Sequence, residues 1–167
     1  VIDADEPIER SVLAHLESLG ADYTAVRIDP IFANTALFCE QYGYAMEASA
    51  NCILVAAKTG HRGHAACLVQ ATRRLDVNGT VRRLLGVRKA SFAPAEETTE
   101  LTGMLPDGVT PFGLPADLPL YVDAEVMHQA KVIVGGGSRS LKIEVATATF
   151  TAMPQAQIVE GLSRPPQ

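Results

Sequence analysis

A chain of 167 residues has the length of one domain, and 47% hydrophobic residues are enough for a sizeable core. With no Trp and only 5% aromatics, that core must rest on Ala, Val, Leu and Ile. A net charge of −5 and a pI of about 5.3 argue against general coating of RNA, which needs a basic protein; a small basic patch touching one RNA end stays open. No apolar run approaches the ~20 residues of a membrane-spanning helix, and no basic-then-apolar leader opens the chain. Neither membrane nor DNA is therefore expected as a partner, and the expected compartment is cytoplasmic. The first residue is Val1 rather than Met, which leaves a start upstream of it open. Cys39, Cys52 and Cys67 are odd in number and form no C-x-x-C pair. They read as buried thiols of a reducing compartment. The four His form no ligand set, so no metal and no other cofactor is expected.

In chain order, residues 7–19 are predicted to be a helix. Pro7 suits its first position, Asp5 and Glu6 suit its positive end, Ile8, Val12, Leu16 and Leu19 share one face, and Gly20 ends it. Tyr23 to Ile28 alternates like a strand, and Asp29-Pro30 turns the chain. A second helix begins at Asn34 or Thr35 and ends at Gly43. Cys52-Ile-Leu-Val-Ala-Ala57 is a continuous apolar run, as in a central strand, and it forms a hairpin through Thr59–Gly63 with a strand from Ala65 to Val69. Asp76 caps a helix carrying Val77, Val81, Leu84 and Leu85, closed by Gly86. Val87 to Phe92 is a strand, and Pro94, Glu96 and Glu97 open a helix that stops at Gly103.

Residues 103–119 crowd together Gly103, Pro106, Gly108, Pro111, Gly113, Pro115 and Pro119. Long constrained loops of this kind are disproportionately functional. Strands follow at Leu120 to Val122, Lys131 to Val134, and Leu141 to Val145; in the last, Leu141, Ile143 and Val145 take one face and Lys142 and Glu144 the other. The tail is expected to be loose from about Ser163. Strands and helices intermix without regular βαβ spacing, which indicates one α+β domain over 1–167 with a mixed sheet.

The second half carries a resemblance. Thr102-Gly-Met-Leu-Pro-Asp-Gly-Val-Thr-Pro-Phe-Gly-Leu114 is similar to the long loop of the YbaK/prolyl-tRNA synthetase editing domains. Leu118-Pro-Leu-Tyr-Val-Asp123 follows at the expected interval, and Val132-Ile-Val-Gly-Gly-Gly-Ser-Arg-Ser-Leu-Lys-Ile143 resembles the family's closing glycine-rich strand pair. Arg74-Leu-Asp76 and Val81-Arg-Arg-Leu-Leu-Gly86 resemble its "rld…k…lg" helix. The likeness runs over about residues 8–160, and 103–143 is its specific part. It implies a mixed, partly barrel-like β-sheet flanked by helices. It also implies hydrolysis of the ester between a wrong amino acid and its tRNA, in trans, since the chain carries no synthetase motifs. The implied partners are the aminoacyl-tRNA acceptor end and an aminoacyl-tRNA synthetase. The alternative is a non-catalytic relative that binds aminoacyl-tRNA, a synthetase or another partner.

An aminoacyl ester is already activated, so the enzyme must hold it, stabilise the developing oxyanion and admit water or an internal attacker. In the family a G-x-x-x-P loop does this with backbone N–H groups. Here the matching residues are Asp107, Gly108, Val109, Thr110 and Pro111, with Asp107 in the place of the first glycine. Gly108, Val109, Thr110 and Pro111 are thus the candidate catalytic loop, and Asp107 and Phe112 candidate substrate contacts. Gly135, Gly136, Gly137 and Ser138 would border the same pocket, where glycines allow close approach of a ligand. Arg139 either binds a phosphate of the tRNA end or is solvated.

The largest departure is Asn51, a candidate catalytic residue at the position where many family members carry a lysine that engages the terminal phosphate or sugar. Asn51 can hydrogen-bond but brings no charge; the other reading is a strand-start residue satisfying backbone groups. Restoring the charge with Asn51→Lys, alone or with Asp107→Gly, is expected to raise editing. Lys58 lies at the far end of the strand. Cys52 reads as a buried thiol rather than a nucleophile. His61, Arg62 and His64 form a turn that is solvated or touches RNA, and His128 is a lesser acid–base candidate. Arg73, Arg74, Arg82, Arg83, Arg88 and Lys89 are the one basic concentration, either an acceptor-stem contact or a solvated face. Loop 107–113 and the segment around 135–141 are expected to face one pocket near Asn51. Binding of bare tRNA should be weak and salt-sensitive.

Overall fold

A computed structural model describes residues 4–59 and 63–166. The first helix, α1, spans Pro7–Ser18, with Pro in its first turn and Val12 and Leu16 wholly buried. Strand β1 is Tyr23–Arg27. Helix α2, Thr35–Tyr42, starts where Asn34 Oδ1 accepts from the N–H groups of Ala36 and Leu37, and ends at Gly43, whose φ is 77°. Strands β2, Ala50–Ala57, and β3, His64–Gln70, pair antiparallel from Ala50↔Gln70 to Ala56↔His64. Their apolar run is explained by burial on both faces. Ala50, Cys52, Leu54, Ala66 and Leu68 enter one core, and Val55, Ala65, Cys67 and Val69 enter another.

Strand β4 is Arg74–Leu75. Where one helix over Val77–Leu85 is predicted, the chain forms a wide π turn, Val77–Val81, before the short helix α3, Arg82–Leu85. The Asp76 carboxylate draws in the backbone N–H of Gly79 and Thr80 and the Thr80 hydroxyl, and that pull sets the wider turn. Strand β5, Ala90–Phe92, begins three residues later than the apolar pattern predicts, and α4 spans Ala95–Thr102. Next come β6, Leu120–Asp123, β7, Lys131–Gly135, β8, Leu141–Ala146, and β9, Ala156–Val159. The last strand, β10, is Ser163–Arg164 and pairs with β4. The segment expected to be loose from Ser163 therefore begins pinned. Ser163 donates to Asp123 Oδ2 and accepts from Arg73 Nε at 2.7 Å.

The larger sheet runs β5-β2-β3-β6-β9, with β3-β6 and β6-β9 parallel and the rest antiparallel; the smaller runs β1-β8-β7, all antiparallel. A bridge between Ser49 and Ile133 joins the entry of β2 to β7 without closing a barrel. The architecture is thus a mixed α+β sheet system flanked by helices. The main core holds Leu16, Leu54, Leu68, Met104, Phe112, Leu120, Ile143 and Phe150. Among the described residues no helix is long and apolar enough to cross a membrane.

Candidate functional site

The loop after α4 is built against the turn between β7 and β8. Leu105 N–H donates to Gly137 O at 3.0 Å, and Gly137 N–H donates to Gly108 O at 2.7 Å. A Cβ on Gly108 would lie 2.4 Å from Ser138 O, and one on Gly135 would lie 2.7 Å from the carbonyl oxygens of Gly108 and Val109. These glycines therefore admit each other's backbone, where the sequence suggested room for a ligand. The expected juxtaposition of loop 107–113 with 135–141 is present all the same.

Beneath the turn lies a wholly buried carboxylate that the sequence pattern hides. Glu9 of α1 accepts from the Ser138 hydroxyl, from Arg27 Nη1 at 2.9 and 3.0 Å, and from Asp5 N–H at 2.8 Å. Burial pushes its pKa up, but the hydrogen bonds from Arg27, Ser138 and Asp5 outweigh that and hold it below 4.5. Ser138 and Gly136–Gly137 are buried with it. Phe112, expected at the substrate, belongs to the core: it is wholly buried, stacked on Phe150 at 5.9 Å and edge-on to His15 at 6.1 Å. Thr110 and Pro111 are buried as well, and Thr110 Oγ1 has no hydrogen-bond partner among the described residues.

The remaining candidates meet at an open cleft of about 420 Å³, whose walls include Thr35, Phe38, Asn51, Asp107, Val109, Gly135 and Lys142. Asn51, near the start of β2, accepts at Oδ1 from the Thr35 hydroxyl at 2.7 Å. That fixes its orientation and leaves its amide NH₂ unbonded among the described residues. Asp107 sits at φ 63°, the left-handed conformation natural to the glycine it replaces and tolerated by Asp. Its carboxylate is 3.1 Å from Arg139 Nη1, and Arg139 also donates to the carbonyls of Pro106 and Pro30. Arg139 is therefore a strut of the loop, and Asp107 is charge-compensated. The backbone N–H groups of Asp107 and Val109 make no hydrogen bond among the described residues.

Lys142 is the residue the sequence reading missed at this cleft. It is 6% exposed, and its Nζ donates to Ala33 O at 2.8 Å and Asp107 O at 3.1 Å, with the Phe38 ring centroid 5.6 Å away. Burial pushes its pKa down to about 8, with Asp107 and Cys39 opposing and Arg139 assisting. Alternation along β8 places Lys142 correctly opposite Leu141 and Ile143, but says nothing about what covers that face.

A smaller recess of about 170 Å³ adjoins the cleft through Cys52, Ile53 and Val109, and is otherwise walled by Leu54, Ala93, Ala95, Thr98, Thr99 and Pro106. No charged side chain lines it. Cys52 is buried and its thiol is pushed up to about 12 by burial, so it offers no thiolate.

His61 and Arg62 lie outside the described residues. His64 opens β3 with Nε2 2.9 Å from Glu97 Oε2, and His128 is exposed beside Glu125. Neither lines the cleft, nor does any of the six basic residues Arg73, Arg74, Arg82, Arg83, Arg88 and Lys89.

The model of the aminoacyl-tRNA editing domain matches residues 32–152. A curated protein of Enterococcus faecalis, "Putative Cys-tRNA(Pro)/Cys-tRNA(Cys) deacylase EbsC", is 23% identical over 98 residues, 59% of this chain and 59% of that protein. The chain thus spans less than two thirds of that relative's length. Among solved structures, "a putative trans-editing enzyme for prolyl tRNA synthetase" has a TM-score of 0.80 at 24% identity, over 96% of this chain and 99% of that one. "Hypothetical protein APE2540" reaches 0.82 at 23% identity, over 92% and 99%. At these identities the likeness is one of fold.

Proposed function

Because the chain belongs to the aminoacyl-tRNA editing domain family, we propose that it hydrolyses, in trans and in the cytoplasm, the ester joining an amino acid to the 3′ end of tRNA. The observation that carries this reading is the cleft itself. It joins Asn51, Val109 and the turn at Asp107 to a small uncharged recess, and the backbone N–H groups of Asp107 and Val109 have no partner among the described residues. The ester would lie across Val109. Its carbonyl oxygen, which gains negative charge on attack by water, would be met by the N–H groups of Asp107 and Val109. Such preorganised donors lower the barrier because they need no reorientation as charge develops. The Asn51 amide would hold the terminal ribose. Cys52 takes no part, since its thiol stays protonated.

The amino-acid side chain would enter the recess, whose size and lack of charge suit alanine, serine or cysteine. The Enterococcus faecalis relative is named for Cys-tRNA, which fits that size. The test is ester loss from tRNAs carrying alanine, serine, cysteine, leucine and phenylalanine. Rapid loss of the small esters with survival of phenylalanine supports the proposal. Survival of all five, with tRNA still bound, would make the chain a binding relative instead.

A further inference from the structure

Lys142 is a nearly buried ammonium on a cleft wall, and no carboxylate lies within ion-pair distance of it among the described residues. Its nearest acidic neighbour in the loop, Asp107, has its carboxylate engaged by Arg139. Two of the three ammonium protons go to the carbonyls of Ala33 and Asp107, and the third has no acceptor among the described residues. Buried charges are ordinarily paired, because desolvation is otherwise uncompensated. A lone buried cation opening onto a cleft is therefore half of an ion pair whose anion comes from outside.

We infer that Lys142 binds the phosphate of the terminal nucleotide of the tRNA, supplying from the smaller sheet the positive charge that Asn51 on the larger sheet lacks. This rests on the reading of the cleft as the site of the tRNA 3′ end. Phosphate is the group that fits, because it is the only anion a tRNA end brings and because a compact ammonium serves it as a point charge. The carbonyls of Ala33 and Asp107 hold the ammonium at the wall, so little side-chain entropy is lost when phosphate arrives. The Phe38 ring centroid lies 5.6 Å from the ammonium, and the Asn51 amide is left for a ribose hydroxyl.

The groups that bear on Lys142 are Asp107, Arg139 and Cys39. Its ammonium loses its proton as pH rises through about 8, and phosphate binding should fade over the same interval.

The test compares adenosine 5′-monophosphate with adenosine by NMR titration of the whole chain. The parent should prefer the monophosphate by on the order of tenfold or more at pH 7. Lys142→Met should bind adenosine as the parent does and lose the preference, and the parent should itself lose it by pH 9.5. The pH arm needs no variant, so it stands even if Lys142→Met fails to fold. Equal binding of both compounds by the parent, binding of neither at millimolar concentration, or a preference that survives in Lys142→Met or at pH 9.5 would overturn the inference. The assay is separate from ester hydrolysis. A chain that spares every ester but keeps the Lys142-dependent preference loses the proposed activity and retains the phosphate site.

Discussion

Two buried charges flank the turn between β7 and β8, and the fold treats them oppositely. Glu9 beneath the turn receives three kinds of donor, from a guanidinium, a hydroxyl and a backbone N–H. Lys142 beside it donates to two carbonyl oxygens, lies over the Phe38 ring and, among the described residues, meets no carboxylate. The first arrangement is closed and holds α1 to the turn. The second keeps a proton and a charge in hand at the edge of a cleft. Paired buried charge here serves architecture, and unpaired buried charge marks where a ligand is expected.

The largest effect should come from opening the closed arrangement. Glu9→Gln takes the buried carboxylate away from Arg27, which keeps Asp5 at 3.4 Å, and should lower stability by about 3 kcal/mol, the low end for a broken buried pair because Arg27 is partly exposed. Urea unfolding would measure it. The Glu9 carboxyl titrates below its ordinary 4.5 in the fold, so its contribution is full above that value and is lost as pH falls through the folded value. The variant should lack that part of the acid limb.

Next is the relation between Asn51 and Lys142. The sequence alone suggests that Asn51→Lys restores a missing charge. With Lys142 already in the cleft, a second ammonium would be repelled and gain little. Asn51→Lys should instead rescue Lys142→Met, recovering about tenfold in deacylation that the single change loses. A double-mutant cycle reads this directly; an equal gain from Asn51→Lys in both backgrounds would break the comparison.

A smaller effect is expected on stability at Lys142. Lys142→Met should stay within about 1 kcal/mol of the parent at pH 7, since a buried cation without a carboxylate stabilises little. The lysine's folded pKa is lowered from 10.5 to about 8. Between those values the unfolded chain binds more protons, so parental stability should rise with pH across that window and the variant's should not. Smallest is Asp107→Gly. It relieves a left-handed φ of 63° and removes a half-exposed ion pair with Arg139, so thermal melts should shift by no more than about 0.5 kcal/mol either way.

Much of the frame was legible because it rests on local rules. Pro7, Asn34, Gly43, Asp76 and Gly103 start and stop helices where their chemistry demands. The 102–114 and 132–143 segments announced the family. What stayed hidden depends on partners distant in sequence. Glu9 on an otherwise amphipathic helix looks solvated until Arg27 and Ser138 are brought to it. Phe112 looks like a pocket wall until Phe150 stacks on it. Ser163 looks like a tail residue until Asp123 and Arg73 take hold of it. Lys142 falls on the right face of its strand, yet only the tertiary fold lays Phe38 and the Asp107 loop over that face.

The most direct measurement is the single-turnover rate of ester loss from one tRNA mischarged with a small amino acid, for the parent and for Val109→Phe. Val109 lines both the cleft and the recess, so the added ring fills the place given to the ester. The parent should accelerate hydrolysis well above the spontaneous rate, and Val109→Phe, folded by circular dichroism, should return it to that rate. No acceleration by the parent, or equal acceleration by a folded Val109→Phe, would contradict ester hydrolysis in this cleft.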